Sequence, residues 1–131
     1  MAQVAEVSVR SGEIVVHRVT VAADLGYMVN PYTIEAQIQS SVIFGTSAGL
    51  KHEITLEKGV VQQTNFNNFP VVRMHDAPRI DIVLVPSTEK PGGTGEPATA
   101  LVVPAIVNAV AAVATKPVRK LPLTAQALRT A

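Results

Sequence analysis

The chain has 131 residues, a length typical of one domain, and its 11 basic and 10 acidic residues leave a net charge of +1. This balance, with two tyrosines, three phenylalanines and no tryptophan, argues against a nucleic-acid interface built on basic charge or on base stacking. The absence of cysteine excludes disulfides, thiol nucleophiles and iron–sulfur ligation by this chain. Charged residues make up only 16% of the sequence, which predicts that a partner covers part of the surface.

Two strands are predicted at the start of the chain. Valine-rich runs at residues 4–9 and 14–21 flank Ser11 and Gly12, a pattern typical of a β-hairpin. The first residues contain no basic segment followed by an apolar one, so we expect no signal peptide in this chain. Localisation stays open between the cytoplasm and the periplasm, as part of a complex.

A long helix is predicted next, over residues 31–50. Asn30 is a favourable N-cap, and Pro31 suits the first helical position, where its missing N–H has no partner to lose. An apolar face recurs every four residues along this helix; it consists of Ile34, Ile38 and Val42.

A second stripe on the same helix combines one amide with small side chains. Its members are Gln37, Ser41, Gly45 and Ala48. Small side chains at this spacing allow either close packing of the helix on a sheet or the approach of a flat ligand. The sequence does not decide between these two interpretations.

The middle of the chain predicts short β-structure and loops. Residues 52–62 have the pattern of a second hairpin with a turn glycine, and residues 65–70 are irregular and rich in amides. Residues 73–76 are polar and are expected to form a loop without chemistry. Residues 80–85 predict a strand bounded by prolines.

A loop and a second helix complete the predicted fold. Residues 86–97 contain three prolines and three glycines and cannot form a regular element. A helix is predicted over about residues 99–115, apolar all round and therefore buried on most sides. Its most apolar stretch, residues 101–114, is shorter than the roughly 18 residues of a membrane span, so we expect a core helix.

These elements predict an α+β fold, with two main helices on a mixed β-sheet. They form one domain over residues 1–123, followed by a tail at residues 124–131. No internal repeat divides the chain.

Glu96 is the most prominent candidate for chemistry. The glycine loop before it lacks both the Gly-Lys-Ser/Thr ending of a phosphate-binding loop and the dinucleotide-binding fingerprint. Glu96 lies between Gly95 and Pro97, directly before the second helix. It is interpreted either as a general base that glycines bring close to a ligand, or as an acidic residue that is favourable at a helix N-terminus.

The three histidines have no spacing typical of a metal site. His17, His52 and His75 lie far apart in the sequence, and we expect each of them to be solvated or structural. We assign no metal ligand to this chain.

Several short motifs nevertheless follow one another in a specific order. They are DLGYMVNP (residues 24–31), AQI (36–38), VIFG (42–45), EIT (53–55), NF (65–66), PVVRM (70–74), GGTGEP (92–97), PAIVNA (104–109) and LPL (121–123). In this order they resemble the C-terminal part of the molybdopterin-binding subunit of the xanthine dehydrogenase and aldehyde oxidase family. The isoquinoline 1-oxidoreductase and membrane-associated aldehyde dehydrogenase branch is the most similar, and the resemblance extends over residues 6–123.

The resemblance implies an oxidoreductase that hydroxylates an N-heterocycle or an aldehyde at a molybdopterin cofactor, in bacteria often the cytosine dinucleotide form. Glu96 matches the catalytic glutamate of the family, which acts as the general base. Gln37 matches a glutamine that hydrogen-bonds the pterin. Thr94 and Gly95 match positions beside the cofactor.

The sequence also departs from the family. The molybdopterin-binding subunits of the family run to several hundred residues, so this chain resembles only their last piece. We therefore expect an isolated chain without cofactor or activity, and self-association in isolation. The expected partners are the remainder of the molybdopterin-binding subunit and an iron–sulfur subunit.

A second departure is local. Ser40 and Ser41 stand where the family usually has two glycines, and two added hydroxymethyl groups are expected to narrow the space beside Gln37. This departure and the short chain support an alternative function, that of a non-catalytic α+β module that binds itself or another protein.

Overall fold

A computed structural model of the protein describes residues 1–114 and 117–124. These residues form strands β1 (Ala2–Arg10) and β2 (Glu13–Ala23), helix α1 (Pro31–Leu50), strands β3 (Leu56–Glu57) and β4 (Val60–Val61), a 3₁₀ turn (Met74–Asp76), strand β5 (Arg79–Leu84) and helix α2 (Pro97–Ala114). The predicted α+β class is confirmed, and so are the predicted bounds of the first helix.

The main sheet is mixed, as predicted, with strand order β1-β2-β5. β1 and β2 are antiparallel, while β2 and β5 are parallel. The hairpin between β1 and β2 turns through Ser11 and Gly12, which have φ angles of 52° and 84°. Positive φ at both central residues is typical of the tight turn that matches strand twist. β3 and β4 form the second predicted hairpin as a separate two-stranded sheet.

A β-bulge shifts the register in the middle of the first hairpin. Glu6 pairs with Arg18, but the next residue of β1, Val7, pairs with Val16, which leaves His17 as the extra residue. Because neighbouring side chains of a strand point to opposite faces, one extra residue exchanges those faces. Core-facing residues of β2 are therefore even-numbered before the bulge and odd-numbered after it.

The core lies between one face of the main sheet and the two helices. α2 packs on β1 and on α1. The apolar side chains without any exposed surface are Val19, Val21, Ala23, Ile38, Val42, Ala98, Val102, Ile106 and Val110. The segment after α2 returns to the end of α1, where the Leu123 N–H donates to the Gly49 carbonyl at 2.7 Å.

α2 differs from its prediction in two respects. It begins at Pro97 rather than near residue 99, because proline suits the first position of a helix; its predicted end at residue 115 lies outside the described residues. The prediction that α2 is buried on most sides is also wrong. Leu101 and Val113 on the outer side are exposed, because among the described residues packing partners lie on one side of α2.

Within the described residues, α2 is the one helix that is long and apolar enough to cross a membrane by length and composition. The helix is longer than the apolar stretch 101–114 predicted, because Pro97–Ala114 comprises 18 residues. Core helices of soluble proteins satisfy the same criterion, and one side of α2 belongs to the core. Of the predicted tail, residues 125–131 lie outside the described residues.

Candidate functional site

The glycine loop forms a strap, residues 86–96, that connects β5 to α2. Its first part runs beside the segment between β2 and α1. The Tyr27 N–H donates to the Glu89 carbonyl at 2.9 Å, and the Gly92 N–H donates to the Leu25 carbonyl at 2.8 Å. These two backbone hydrogen bonds fix the beginning of the strap.

Gly26 allows this close approach. Its φ is +73°, and a Cβ atom at this position would collide with the Lys90 carbonyl. Glycine adopts this backbone conformation without strain and leaves room for the neighbouring chain. The Gly26 N–H also donates to Asp24 Oδ1 at 3.2 Å, which closes the turn locally.

The end of the strap is attached to α1 through Ser41. The Ser41 hydroxyl donates to the Gly95 carbonyl at 3.1 Å. The Thr99 hydroxyl, in the first turn of α2, donates to the Ser41 carbonyl at 3.3 Å. Ser41 is only 5% exposed, so both contacts lie at a packed junction of the strap and the two helices.

The small residues of α1 create this junction. A Cβ atom on Gly45 would collide with the Val102 side chain and would lie 3.0 Å from the Thr99 carbonyl oxygen, so the two helices meet closely there. At Gly45 the stripe thus packs against helix α2 rather than on the sheet, which differs from one of the two interpretations that the sequence left open. Its other end, at Gln37, is exposed.

Gln37 lies one helical turn before Ser41. Residues four apart share a helix face. Because the Ser41 hydroxyl reaches Gly95, the exposed Gln37 lies on the α1 face that receives the end of the strap. The structure therefore brings together two regions that are more than fifty residues apart in the sequence.

Glu96 is exposed and directly precedes the first residue of α2, Pro97. Its carbonyl accepts the Thr99 N–H at 2.9 Å, as in the first turn of a helix. This position is compatible with both interpretations of the carboxylate. It is accessible from outside the chain, and it lies at the positive end of the helix dipole.

Thr94 is half-buried and lines an open cleft of about 260 Å³ between the strap and the start of α1. Other residues lining it include Tyr27, Asn30 and Thr33. Ligand pockets usually measure roughly 300–1,000 Å³. The cleft is therefore smaller than a usual complete ligand pocket.

Two glycines of the strap are not required by the fold of this chain. A Cβ atom on Gly93 or Gly95 would meet nothing within 4 Å, and neither residue has φ in the left-handed range. The strap thus presents a bare backbone edge with open space beside it. Together with the Gln37 amide, the Thr94 hydroxyl and the Glu96 carboxylate, this edge fits one side of a polar, planar cofactor such as molybdopterin.

Ser40 and Ser41, which stand where the family usually has two glycines, lie on different sides of α1. Ser41 is buried against the strap, whereas Ser40 is exposed and lines a second open groove of about 470 Å³. The two side chains therefore do not jointly narrow the space beside Gln37, because neighbouring helix residues point about 100° apart. Sequence reasoning missed Ser41 as a tether, since no local pattern shows which loop a helix face receives.

The second groove contains an aromatic cluster. The His52 ring stacks on Phe69, with ring centroids 4.3 Å apart, and meets the edge of Phe44 at 6.3 Å. His52 Nε2 is buried and has no hydrogen-bond partner among the described residues. This cluster orders the chain after α1 against the side of that helix.

The other two histidines are exposed. His17 Nε2 lies 2.8 Å from the Ser8 hydroxyl, and His75 Nε2 lies 3.4 Å from Asp76 Oδ1. Over residues 1–114 and 117–124, no three His, Asp or Glu side chains are grouped in a way that would hold a metal ion.

An ion pair joins the end of α1 to the 3₁₀ turn. Lys51 Nζ lies 3.0 Å from Asp76 Oδ2. The hydrogen bond from Lys51 lowers the pKa of the Asp76 carboxyl, and the charges of Lys51 and His75 act in the same direction, although partial burial opposes them. This loop thus contains an ion pair that the sequence did not predict.

Comparisons with known proteins agree with the motifs. Residues 1–78 match the family described as a molybdopterin cofactor-binding domain. A nicotinate dehydrogenase subunit of Pseudomonas putida is 37% identical over 133 aligned positions, which cover 99% of this chain and 11% of that protein. The beta subunit of isoquinoline 1-oxidoreductase from Brevundimonas diminuta is 34% identical over 108 positions, with coverages of 82% and 14%.

A solved structure supports the same fold. The aldehyde oxidoreductase of Desulfovibrio desulfuricans superimposes with a TM-score of 0.84 and 25% identity, over 97% of this chain and 15% of that one. The chain thus spans between 11% and 15% of the length of these three relatives.

Proposed function

Because the chain belongs to the molybdopterin cofactor-binding domain family, we propose that it forms one wall of the cofactor site in a molybdenum hydroxylase. The strap supports this proposal. It holds Glu96 beside the α1 face that carries Gln37, and no described residue lies within 4 Å of a Cβ atom placed on Gly93 or Gly95. By analogy with relatives named for nicotinate, isoquinoline and aldehydes, we propose an N-heterocycle or an aldehyde as substrate.

Bound molybdopterin, which we propose in the cytosine dinucleotide form, supplies the two-electron oxidation chemistry. The residues of this chain bind the cofactor and handle a proton. The Gln37 amide hydrogen-bonds the pterin, while Thr94 and Gly95 line its edge. The Glu96 carboxylate accepts the proton of the oxygen nucleophile that adds to the substrate carbon, and so acts as the general base.

Replacing Glu96 in the complete enzyme tests this role. Glu96→Gln keeps the shape of the side chain but removes the proton acceptor, and general-base catalysis typically contributes ~10²–10⁴-fold in rate. We expect kcat to fall by that order, while the molybdenum content per subunit stays the same. Glu89→Gln, in the same strap and also exposed, is the matched control and should retain turnover. Near-normal turnover of Glu96→Gln would leave only the helix-start interpretation.

Gln37 is tested through cofactor retention. Gln37→Ala should lower the molybdenum content of the purified enzyme, because it removes a pterin contact. Gln39→Ala is the matched control, since Gln39 is exposed on the same helix but lines the second groove. Equal molybdenum content in both variants would contradict the assignment of Gln37.

We propose further that the chain is inactive by itself and works as part of a larger assembly. The remainder of the molybdopterin-binding subunit completes the site, and an iron–sulfur subunit accepts the electrons. The small, open cleft beside Thr94 supports this, because it leaves most of a cofactor uncovered. Stoichiometric molybdenum in the purified 131-residue chain would contradict the proposal.

The exposed hairpin favours an assembly in either function. Leu56, Val60 and Val61 of β3 and β4 are all exposed. Because a two-stranded hairpin alone is only marginally stable in water, packing of these side chains against a partner would stabilise it. A non-catalytic, self-associating module is the alternative function that this surface supports. Co-purification with the remaining subunit segments and loading with molybdenum separates the two, because the alternative predicts neither.

A further inference from the structure

We propose that Ser41 is a positioning residue for Glu96, a role that rests on the proposed function of that glutamate. Its hydroxyl holds the peptide group immediately before Glu96, because the Gly95 carbonyl accepts it at 3.1 Å. Ser41 thus does not contact the reacting atoms. It determines where the end of the strap lies on α1, and therefore the backbone position from which the Glu96 side chain extends.

The other buried hydroxyls of α1 show that this contact is not the default. Thr46 Oγ1 donates to the Val42 carbonyl at 2.7 Å, and Ser47 Oγ donates to the Ile43 carbonyl at 3.0 Å. Serine and threonine inside a helix commonly bond back in this way to the carbonyl four residues earlier. Ser41 instead donates across to a segment 54 residues away in the sequence.

The Ser41–Gly95 hydrogen bond lies in the part of the strap that the other described contacts constrain least. The hydrogen bond of Gly92 to Leu25 fixes it on one side, and α2 begins at Pro97 on the other. Between them, Gly93 and Gly95 have open space around them. Glycines have the largest backbone freedom, so this part of the strap is the one that an added contact orders most.

Ser41 also connects the strap to the orientation of α2. Its carbonyl accepts the Thr99 hydroxyl, so the same residue holds the peptide before Glu96 and the first turn after it. Loss of the Ser41 hydroxyl should therefore loosen the strap without moving the helix. The expected consequence is a wider range of Glu96 orientations and a lower kcat, with little change in substrate KM or in cofactor content.

Three variants of the complete enzyme test this inference by amide hydrogen exchange and by kinetics. Ser41→Ala should speed exchange of the hydrogen-bonded amides beside the tether, those of Gly92 and Thr99, by about three- to tenfold, the equilibrium effect of one neutral hydrogen bond. It should lower kcat by a similar factor and change KM less than about twofold. Ser41→Thr keeps the hydroxyl and should restore both values towards those of the native enzyme. Ser40→Ala, on the exposed side of α1, should change neither.

The outcomes separate this inference from the proposed function. Unchanged exchange in Ser41→Ala, or equal effects of Ser41→Ala and Ser40→Ala, would overturn the positioning role. An altered KM or molybdenum content with unchanged kcat would also overturn it, in favour of a binding role. If Glu96→Gln retains turnover while Ser41→Ala still speeds exchange, the general base is rejected, and Ser41 is a structural tether that positions no catalytic group.

Discussion

Two regions of the chain both contain several large apolar side chains but cover them very differently. The core formed by the main sheet and the two helices leaves its central valines and isoleucines without exposed surface; these are Val19, Val21, Ile38, Val42, Val102, Ile106 and Val110. The excursion, residues 52–78 between α1 and β5, leaves most of its large apolar side chains in solvent; these are Ile54, Leu56, Val60, Val61, Phe66, Val71 and Met74. Apolar sequence alone therefore does not decide burial. A second layer must also be present, and the described part of the chain provides one for the core but not for the excursion.

Polar side chains, rather than a core, give the excursion its shape. Asn68 Oδ1 accepts the backbone N–H groups of Thr64 and Asn65, at 3.0 and 3.1 Å, and Asn68 Nδ2 donates to the Gln62 carbonyl. Gln63 Oε1 accepts the Thr55 N–H at 2.7 Å. Amide side chains commonly replace backbone partners in this manner. The excursion is thus ordered locally while its apolar side chains stay available for an outside partner.

The largest expected effect compares two isoleucines. Ile106 has no exposed surface and belongs to the core, whereas Ile54 in the excursion is 56% exposed. Truncation of a buried isoleucine to alanine typically costs about 2–5 kcal/mol, whereas surface substitutions stay within roughly 0.5 kcal/mol. Ile106→Ala should therefore lower the free energy of unfolding of the 131-residue chain far more than Ile54→Ala, as measured by urea denaturation. Equal losses would erase the distinction between core and excursion.

The helix and hairpins whose ends are set by neighbouring residues were predictable from the sequence. Asn30 caps α1 by accepting the Thr33 N–H, and Pro31 begins the helix, so its bounds followed from neighbouring residues. Both hairpins followed in the same way from their turn residues. The Gln37 stripe and Glu96 stand out from the residue pattern alone, whereas the pterin contact of Gln37 and the choice of the general-base role for Glu96 follow only from the resemblance.

Long-range contacts were not predictable. The sequence does not show that β5 pairs in parallel with β2, that α1 meets α2 at Gly45, or that Ser41 reaches Gly95. The same limit explains the error on α2. An apolar residue such as Val113 is buried only when another element covers it, and here none within the described residues does.

A pair of glycines sharpens the comparison at the strap. Gly26→Ala places a Cβ against the Lys90 carbonyl at a φ of +73°, and we expect it to destabilise the chain by about 2 kcal/mol or more. Gly93→Ala meets open space and should change the free energy of unfolding by less than about 0.5 kcal/mol. In the complete enzyme, however, Gly93→Ala should lower molybdenum content. A strong destabilisation by Gly93→Ala would show that this glycine serves the fold itself.

The exposed apolar side chains of the hairpin predict self-association of the isolated chain. Sedimentation equilibrium at micromolar concentration should give an average mass above the monomer mass of 13.8 kDa. Leu56→Lys combined with Val60→Lys should weaken association about tenfold, or ~1.4 kcal/mol, because burial of these side chains drives it. Gln62→Lys combined with Thr64→Lys adds the same charge at polar positions and is the control. A native chain that stays monomeric would contradict the prediction.

The smallest expected effect concerns the ion pair that joins the excursion to the end of α1. Lys51 lowers the pKa of Asp76, so the folded state binds this proton less readily than the unfolded state does. The pair therefore stabilises the chain at pH values above the unfolded pKa of about 3.9, and this contribution disappears as the pH falls through the lower folded pKa. Both side chains are about one-third exposed, so the contribution at pH 7 should be only ~0.2–1 kcal/mol and should shrink in high salt. In urea denaturation, Asp76→Asn should be less stable than the native chain by this amount between pH 5 and 7. The difference should shrink progressively as the pH falls from about 4 through the lower folded pKa, and Lys51→Met should give the same profile. A stability difference between native and Asp76→Asn chains that does not change with pH would show that Asp76 acts through the neutral hydrogen bonds of the 3₁₀ turn rather than through its charge.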